Sequence, residues 1–162
     1  MAPASAHIQK TVTAKKSQAL LYGIGNPGRR DDGLGITVAS HFEHDRISSL
    51  DVEQNYQLNA EDALTIANRE LVIFADASLT AGEPFSFTPV TPAYSIDFST
   101  HSMSPESVLS LCRNLFSCSP RCFVMAIRGY EWDMVEGLSE KAQNNCSAAI
   151  EFLKSFLKDT AF

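Results

Sequence analysis

Two uninterrupted apolar runs, Leu71-Val72-Ile73-Phe74-Ala75 and Cys122-Phe123-Val124-Met125-Ala126-Ile127, limit what this chain can fold into more than any other feature. Neither approaches the roughly twenty residues a helix needs to cross a bilayer. A strand with one wet face would alternate apolar and polar residues, and these do not. Continuous runs of this length suit strands buried on both faces, as in a parallel sheet covered by helices.

The rest of the chain supplies those helices and the remaining strands. Residues 19–22 read as a short apolar strand that ends in glycines, and residues 52–57 as another strand. Residues 85–90 alternate and fit an edge strand. Helical spacing places Leu34, Val38 and Phe42 on one face of residues 33–44. Asn59 reads as the N-cap of a helix reaching Arg69, with Glu61 and Asp62 in its first turn. Ser104-Pro105-Glu106 supplies a cap, a first-turn proline and a first-turn acid for a helix carrying Val108, Leu111, Cys112 and Leu115. Residues 91–102 show no clear period, and residues 128–137 form a loop with the single tryptophan, Trp132. Ser139 starts a last helix whose stripe is Ala142, Cys146, Ala149, Ile150, Leu153 and Phe156. This alternation predicts a three-layer α/β fold: a twisted, mostly parallel five-stranded sheet with helices on both faces. Residues 18–162 fit one domain of ordinary globular composition. Residues 1–17 are polar, carry Lys10, Lys15 and Lys16 without an acid, and read as a flexible tail. They lack the apolar stretch of a secretory signal, and they contain no arginine, which weighs against a transit peptide. A cytoplasmic protein is the expectation.

Charge narrows the partners. The chain carries a formal −6, and the tail holds three of the thirteen basic residues and none of the nineteen acidic ones, so the folded part is more acidic than the whole. Such a body repels phosphate backbones, which argues against nucleic acid, and it suits a cation or a basic protein surface. The four cysteines, Cys112, Cys118, Cys122 and Cys146, include no C-x-x-C pair and are expected as reduced thiols.

In open α/β sheets, ligands bind beyond the carboxyl ends of the strands. Three segments lie there. The first, Gly23-Ile24-Gly25-Asn26-Pro27-Gly28, matches the G-x-G-x-x-G of dinucleotide sites in letters only. Arg29-Arg30-Asp31-Asp32-Gly33 follows before the helix, and two carboxylates at the helix start would repel a pyrophosphate. Spacing alone leaves Asp31 and Asp32 open between helix capping and a cation site. Arg29 and Arg30 could guide an anionic group such as a chain-terminal carboxylate, or they could pair with the local aspartates. The second segment is Asp76, which ends the buried run and lies beside the first loop if the two strands are neighbours. The third is the loop after Ile127. His101, in Thr100-His101-Ser102-Met103, precedes a helix. Two carboxylates and one imidazole would make a three-ligand site with open positions, suited to a transition metal.

Taken together, Gly23-Ile24-Gly25-Asn26-Pro27, Asp31-Asp32-Gly33-Leu34-Gly35, Ala75-Asp76-Ala77 and Thr100-His101-Ser102-Met103 resemble the hydrogenase maturation proteases, over about residues 19–157. The resemblance implies a nickel-dependent endopeptidase that removes the C-terminal extension of the [NiFe] hydrogenase large-subunit precursor once nickel is inserted. It carries Asp32, Asp76 and His101 over as metal-contacting residues, with nickel supplied by the substrate and other divalent metals able to occupy the site. Asp32 and Asp76 are candidate general bases, and Asn26, Arg29 and Arg30 candidate substrate contacts. No Ser-His-Asp or Cys-His set stands at a defensible spacing. A non-catalytic nickel-sensing chaperone of the same precursor is one alternative. A peptidyl-tRNA hydrolase-like enzyme is another. It shares the Gly-x-Gly-Asn-Pro-Gly opening, but this chain has Arg30-Asp31-Asp32 where such enzymes continue Arg-His-Asn.

Overall fold

The computed structural model describes residues 18–94 and 102–160. Five strands form one sheet: β1 (Ala19–Ile24), β2 (Leu50–Asn55), β3 (Leu71–Ser78), β4 (Phe85–Pro89) and β5 (Arg121–Arg128). Their order is β2-β1-β3-β5-β4. All pairings are parallel except β4 with β5, and β4 lies at the edge, as its alternation suggests. Four helices connect them: α1 (Leu34–Asp45), α2 (Asp62–Ile66), α3 (Pro105–Phe116) and α4 (Glu140–Asp159).

Period-two alternation along buried strands feeds two separate cores. Ala19, Leu21, Ile73 and Met125 point to one face and meet α1 and α4 through Leu34, Val38, Phe42, Ala149 and Leu153. Leu20, Tyr22, Val72 and Phe74 point to the other and meet α2 and α3 through Ala63, Ile66, Val108 and Cys112. The outcome is the expected three-layer α/β architecture, with helices on both faces of a mostly parallel sheet.

Some boundaries moved for identifiable reasons. Strands β1 and β3 run past their apolar letters to Ile24 and Ser78, because the ladder to neighbouring strands continues there. The helix expected from Asn59 to Arg69 is only Asp62–Ile66. Ala67 is extended and Asn68 has φ +63°, which stops it. Asn59 does not cap it with its side chain; instead its own N–H donates to Asp62 Oδ2 at 2.7 Å. Leu115, expected in the α3 stripe, is 62% exposed. Ser104 and Ser139 do cap α3 and α4, accepting from the N–H groups of Ser107 and Ala142. The cysteines form no disulfide. Among the described residues no helix is long and apolar enough to cross a membrane. The tail, residues 1–17, lies outside the described residues.

Candidate active site

The site begins with a close approach. Gly35, in the first turn of α1, sits so near the strand ends that a Cβ would overlap the carbonyl oxygens of Ala75 and Ile24. Only a residue without a side chain lets the helix start directly over the tips of β1 and β3. The loop from β1 to α1 is correspondingly tight. Gly25 has φ +136° and leaves no room for a Cβ beside the Asp32 carbonyl. The chain then closes a 3-10 turn, Arg30–Gly33, entered by Arg30 at φ +47°.

That turn sends two adjacent aspartates in different directions. Asp31 is fully buried. Its carboxylate accepts from the N–H groups of Tyr130 (2.7 Å), Glu131 (3.0 Å) and Ser139 (2.7 Å) and from the Ser139 hydroxyl (2.8 Å). Burial pushes its pKa up, but these donors from Ser139, Tyr130 and Glu131 outweigh burial and hold it below the ordinary aspartate value. Asp31 therefore ties the first loop to the loop between β5 and α4.

Asp32 instead lines a cleft of about 470 Å³. Asp76 lines the same cleft, because β1 and β3 are neighbours, with Gly23 facing Ala75. The floor is apolar, made by Ile24, Phe74 and Val124. Burial raises the Asp76 pKa to about 6; the Ala77 N–H, donating to Asp76 Oδ1 at 2.8 Å, lowers it, and the charge of Asp32 raises it. The two carboxylates thus sense each other across the cleft, and one of them carries a proton only slightly below neutral pH. A divalent cation between them would relieve both burial and repulsion.

His101 lies outside the described residues. Ser102 and Met103, which follow it, line the cleft, and the Met103 N–H donates to the Leu58 carbonyl at 3.0 Å. Among the described residues no three His, Cys, Asp or Glu side chains gather as a metal site; Asp32 and Asp76 are the described part of the expected set.

The other candidates stand apart from the cleft. Asn26 Oδ1 accepts from the Gly28 N–H at 2.9 Å and shapes its own turn. Arg29 Nε donates to the Trp132 carbonyl at 3.1 Å. Arg30 pairs with Glu131 at 3.6 Å and reaches the Gly137 carbonyl. Both arginines are thus engaged with the β5–α4 loop, and none of the three residues lines the cleft. The loop's backbone donors are also committed: Gly25, Asn26 and Arg29 N–H groups bond the carbonyls of Asn55, Asp32 and Asn26.

Sequence reasoning missed Tyr56, Gln57 and Glu106 as cleft residues. Glu106 is a third carboxylate on the wall, and its first-turn position explained it as a helix-dipole partner without asking where that helix begins. Tyr56 follows β2 at the same functional edge, and its 69% exposure as a large aromatic is a signal visible only in three dimensions.

No family model matches the chain, and no curated protein matches it by sequence. Solved structures do match its shape. The hydrogenase maturating endopeptidase HybD from E. coli superposes with a TM-score of 0.71 at 19% identity, covering 88% of this chain and 93% of that one. The [NiFe] hydrogenase maturation protease HycI from Thermococcus kodakarensis KOD1 gives 0.68 at 22% identity, covering 90% and 96%. A hydrogenase 2 maturation peptidase from Thaumarchaeota archaeon SCGC_AB-539-E09 gives 0.64 at 17% identity, covering 87% and 98%. Both chains are covered nearly end to end in each case, so the protein has the fold of the hydrogenase maturation proteases.

Proposed function

We propose that this chain is a nickel-dependent endopeptidase that removes the C-terminal extension of a [NiFe] hydrogenase large-subunit precursor after nickel insertion, in the cytoplasm. The observation that carries the reading is the meeting of Asp32 and Asp76 in one cleft, on the fold of known maturation peptidases. With His101 as the third ligand that the resemblance implies, the two carboxylates would form a donor set that suits a divalent transition ion while leaving positions open. The nickel arrives in the precursor, so it belongs to the substrate. A divalent metal in such a site supplies Lewis-acid polarisation to an oxygen bound to it.

The chain's own residues do the rest. Asp32 and Asp76 hold the loaded segment at the sheet edge. Asp76, raised to about 6 by burial, is matched to exchanging a proton near neutral pH. The acidic body favours a protein substrate with basic surface over nucleic acid.

The test is the intact mass of nickel-loaded precursor after incubation with wild type, Asp32→Ala, Asp76→Ala and His101→Ala. Wild type shortens the precursor, and each variant slows this by roughly a hundredfold or more. Undiminished cleavage by all three would overturn the site. A full-length precursor persisting with wild type, under verified nickel loading, would favour a non-catalytic nickel-sensing chaperone.

A further inference from the structure

Beside the cleft lies a second, smaller depression of about 210 Å³, lined by Gly25, Pro27, Ile36, Gln54, Asn55 and Tyr56. Gly25 and Tyr56 also line the cleft that holds Asp32 and Asp76, so the two hollows adjoin. The chemistry differs between them. The cleft presents Asp32, Asp76 and Glu106. The small hollow has no charged side chain in its walls. Its apolar surface comes from Ile36, Pro27 and Tyr56, and Ile36 belongs to neither core cluster although it sits in the first turn of the well-packed α1.

Resting on the protease reading above, we propose that this hollow is a specificity subsite that seats one apolar side chain of the precursor, within a few residues of the bond being cut. A polypeptide held at Asp32 and Asp76 lies beside Tyr56, which lines both hollows, and a side chain reaching past it meets Ile36 and Pro27. Burial of that side chain fixes the register of the chain against the two carboxylates. A charged side chain at the same position would lose its hydration against these walls.

The experiment scans the three residues on each side of the cut in nickel-loaded precursor, replacing each by Leu, Gly or Asp. kcat/KM is measured with wild type, Ile36→Trp, which fills the hollow, and Ile36→Ala, which enlarges it. Wild type prefers Leu over Asp by about tenfold or more at one position. Ile36→Trp removes that preference by lowering kcat/KM for the Leu substrate toward that for the Gly substrate, and Ile36→Ala shifts it toward larger side chains. A purely structural role for Ile36 would slow every substrate alike. Unchanged preferences in both variants, with wild type cutting normally, overturn the subsite alone. Wild type leaving all precursors uncut overturns the subsite together with the protease reading.

Discussion

Replacing Asp31 with Ala removes one acceptor from four donors: the N–H groups of Tyr130, Glu131 and Ser139 and the Ser139 hydroxyl. Leaving such donors buried and unpaired is expected to destabilise the fold by roughly 2–4 kcal/mol at neutral pH, read from urea unfolding. The folded Asp31 pKa lies below the unfolded value of about 3.9. Its contribution is therefore present above about pH 4 and is lost as pH falls through the folded value, so the gap between wild type and variant closes in acid. A gap constant down to pH 2 would contradict this. Asp76 has the opposite sign. Its folded pKa of about 6 exceeds the unfolded value, so its preference for the protonated form stabilises the fold in acid and is lost as pH rises through 6. Asp76→Asn keeps a neutral group with an oxygen for the Ala77 N–H. The variant should match wild type near pH 4 and exceed it by about 2 kcal/mol at pH 8, while failing to cleave precursor at either. Equal stability at pH 8 would contradict the burial argument. Spacing alone left the two neighbouring aspartates undivided, and only the family resemblance chose Asp32 over Asp31. The two residues have the same chemistry, and the 3-10 turn that separates them depends on Arg30 adopting φ +47°.

At the scale of elements, α1 is the piece whose placement is least forgiving. Gly35→Ala would drive a methyl into the Ala75 and Ile24 carbonyls, and the helix would have to lift off β1 and β3. The expected loss is at least about 2 kcal/mol, seen as a lower thermal midpoint, together with weakened cleavage because Asp32 moves with the helix start. A variant with wild-type midpoint and activity would show that the helix has slack. The helix itself was readable from Leu34, Val38 and Phe42, and α3 and α4 from Ser104-Pro105-Glu106 and Ser139, because caps and apolar stripes are local signals. Helix α2 was over-read because its first acid is used elsewhere. Asp62 accepts a 2.7 Å hydrogen bond from the Tyr22 hydroxyl, 40 residues away, as well as the Asn59 N–H. Burial, helped by the Asp62 hydrogen bond and charge, pushes the Tyr22 pKa well up, so the phenol stays protonated and the contact persists across the physiological range. Contacts across such separations leave no periodic trace.

For the molecule as a whole, the order β2-β1-β3-β5-β4 makes the two strands that position the cleft aspartates, β1 and β3, neighbours at the interior of the sheet. That adjacency turned Asp32 and Asp76 from two unrelated letters into one cleft; the rule for open α/β sheets put both at strand ends, but that the two strands are neighbours was only a condition in the sequence. The small hollow at Ile36 and Tyr56 was beyond such reasoning, since it arises where the end of β2 meets the first turn of α1 and no residue in it is unusual by type. The Asp31 clasp also bears on how the protein is made. A ribosome releases the Asp31 turn 99 to 108 residues before the partners at Tyr130 and Ser139 that hold it. A nascent chain therefore carries both cleft carboxylates from Asp76 until Ser139 without the loop that clasps the Asp31 turn. Assembly of the working edge waits until the segment entering the last helix has emerged, so incomplete products of translation hold the reactive groups without the machine that uses them.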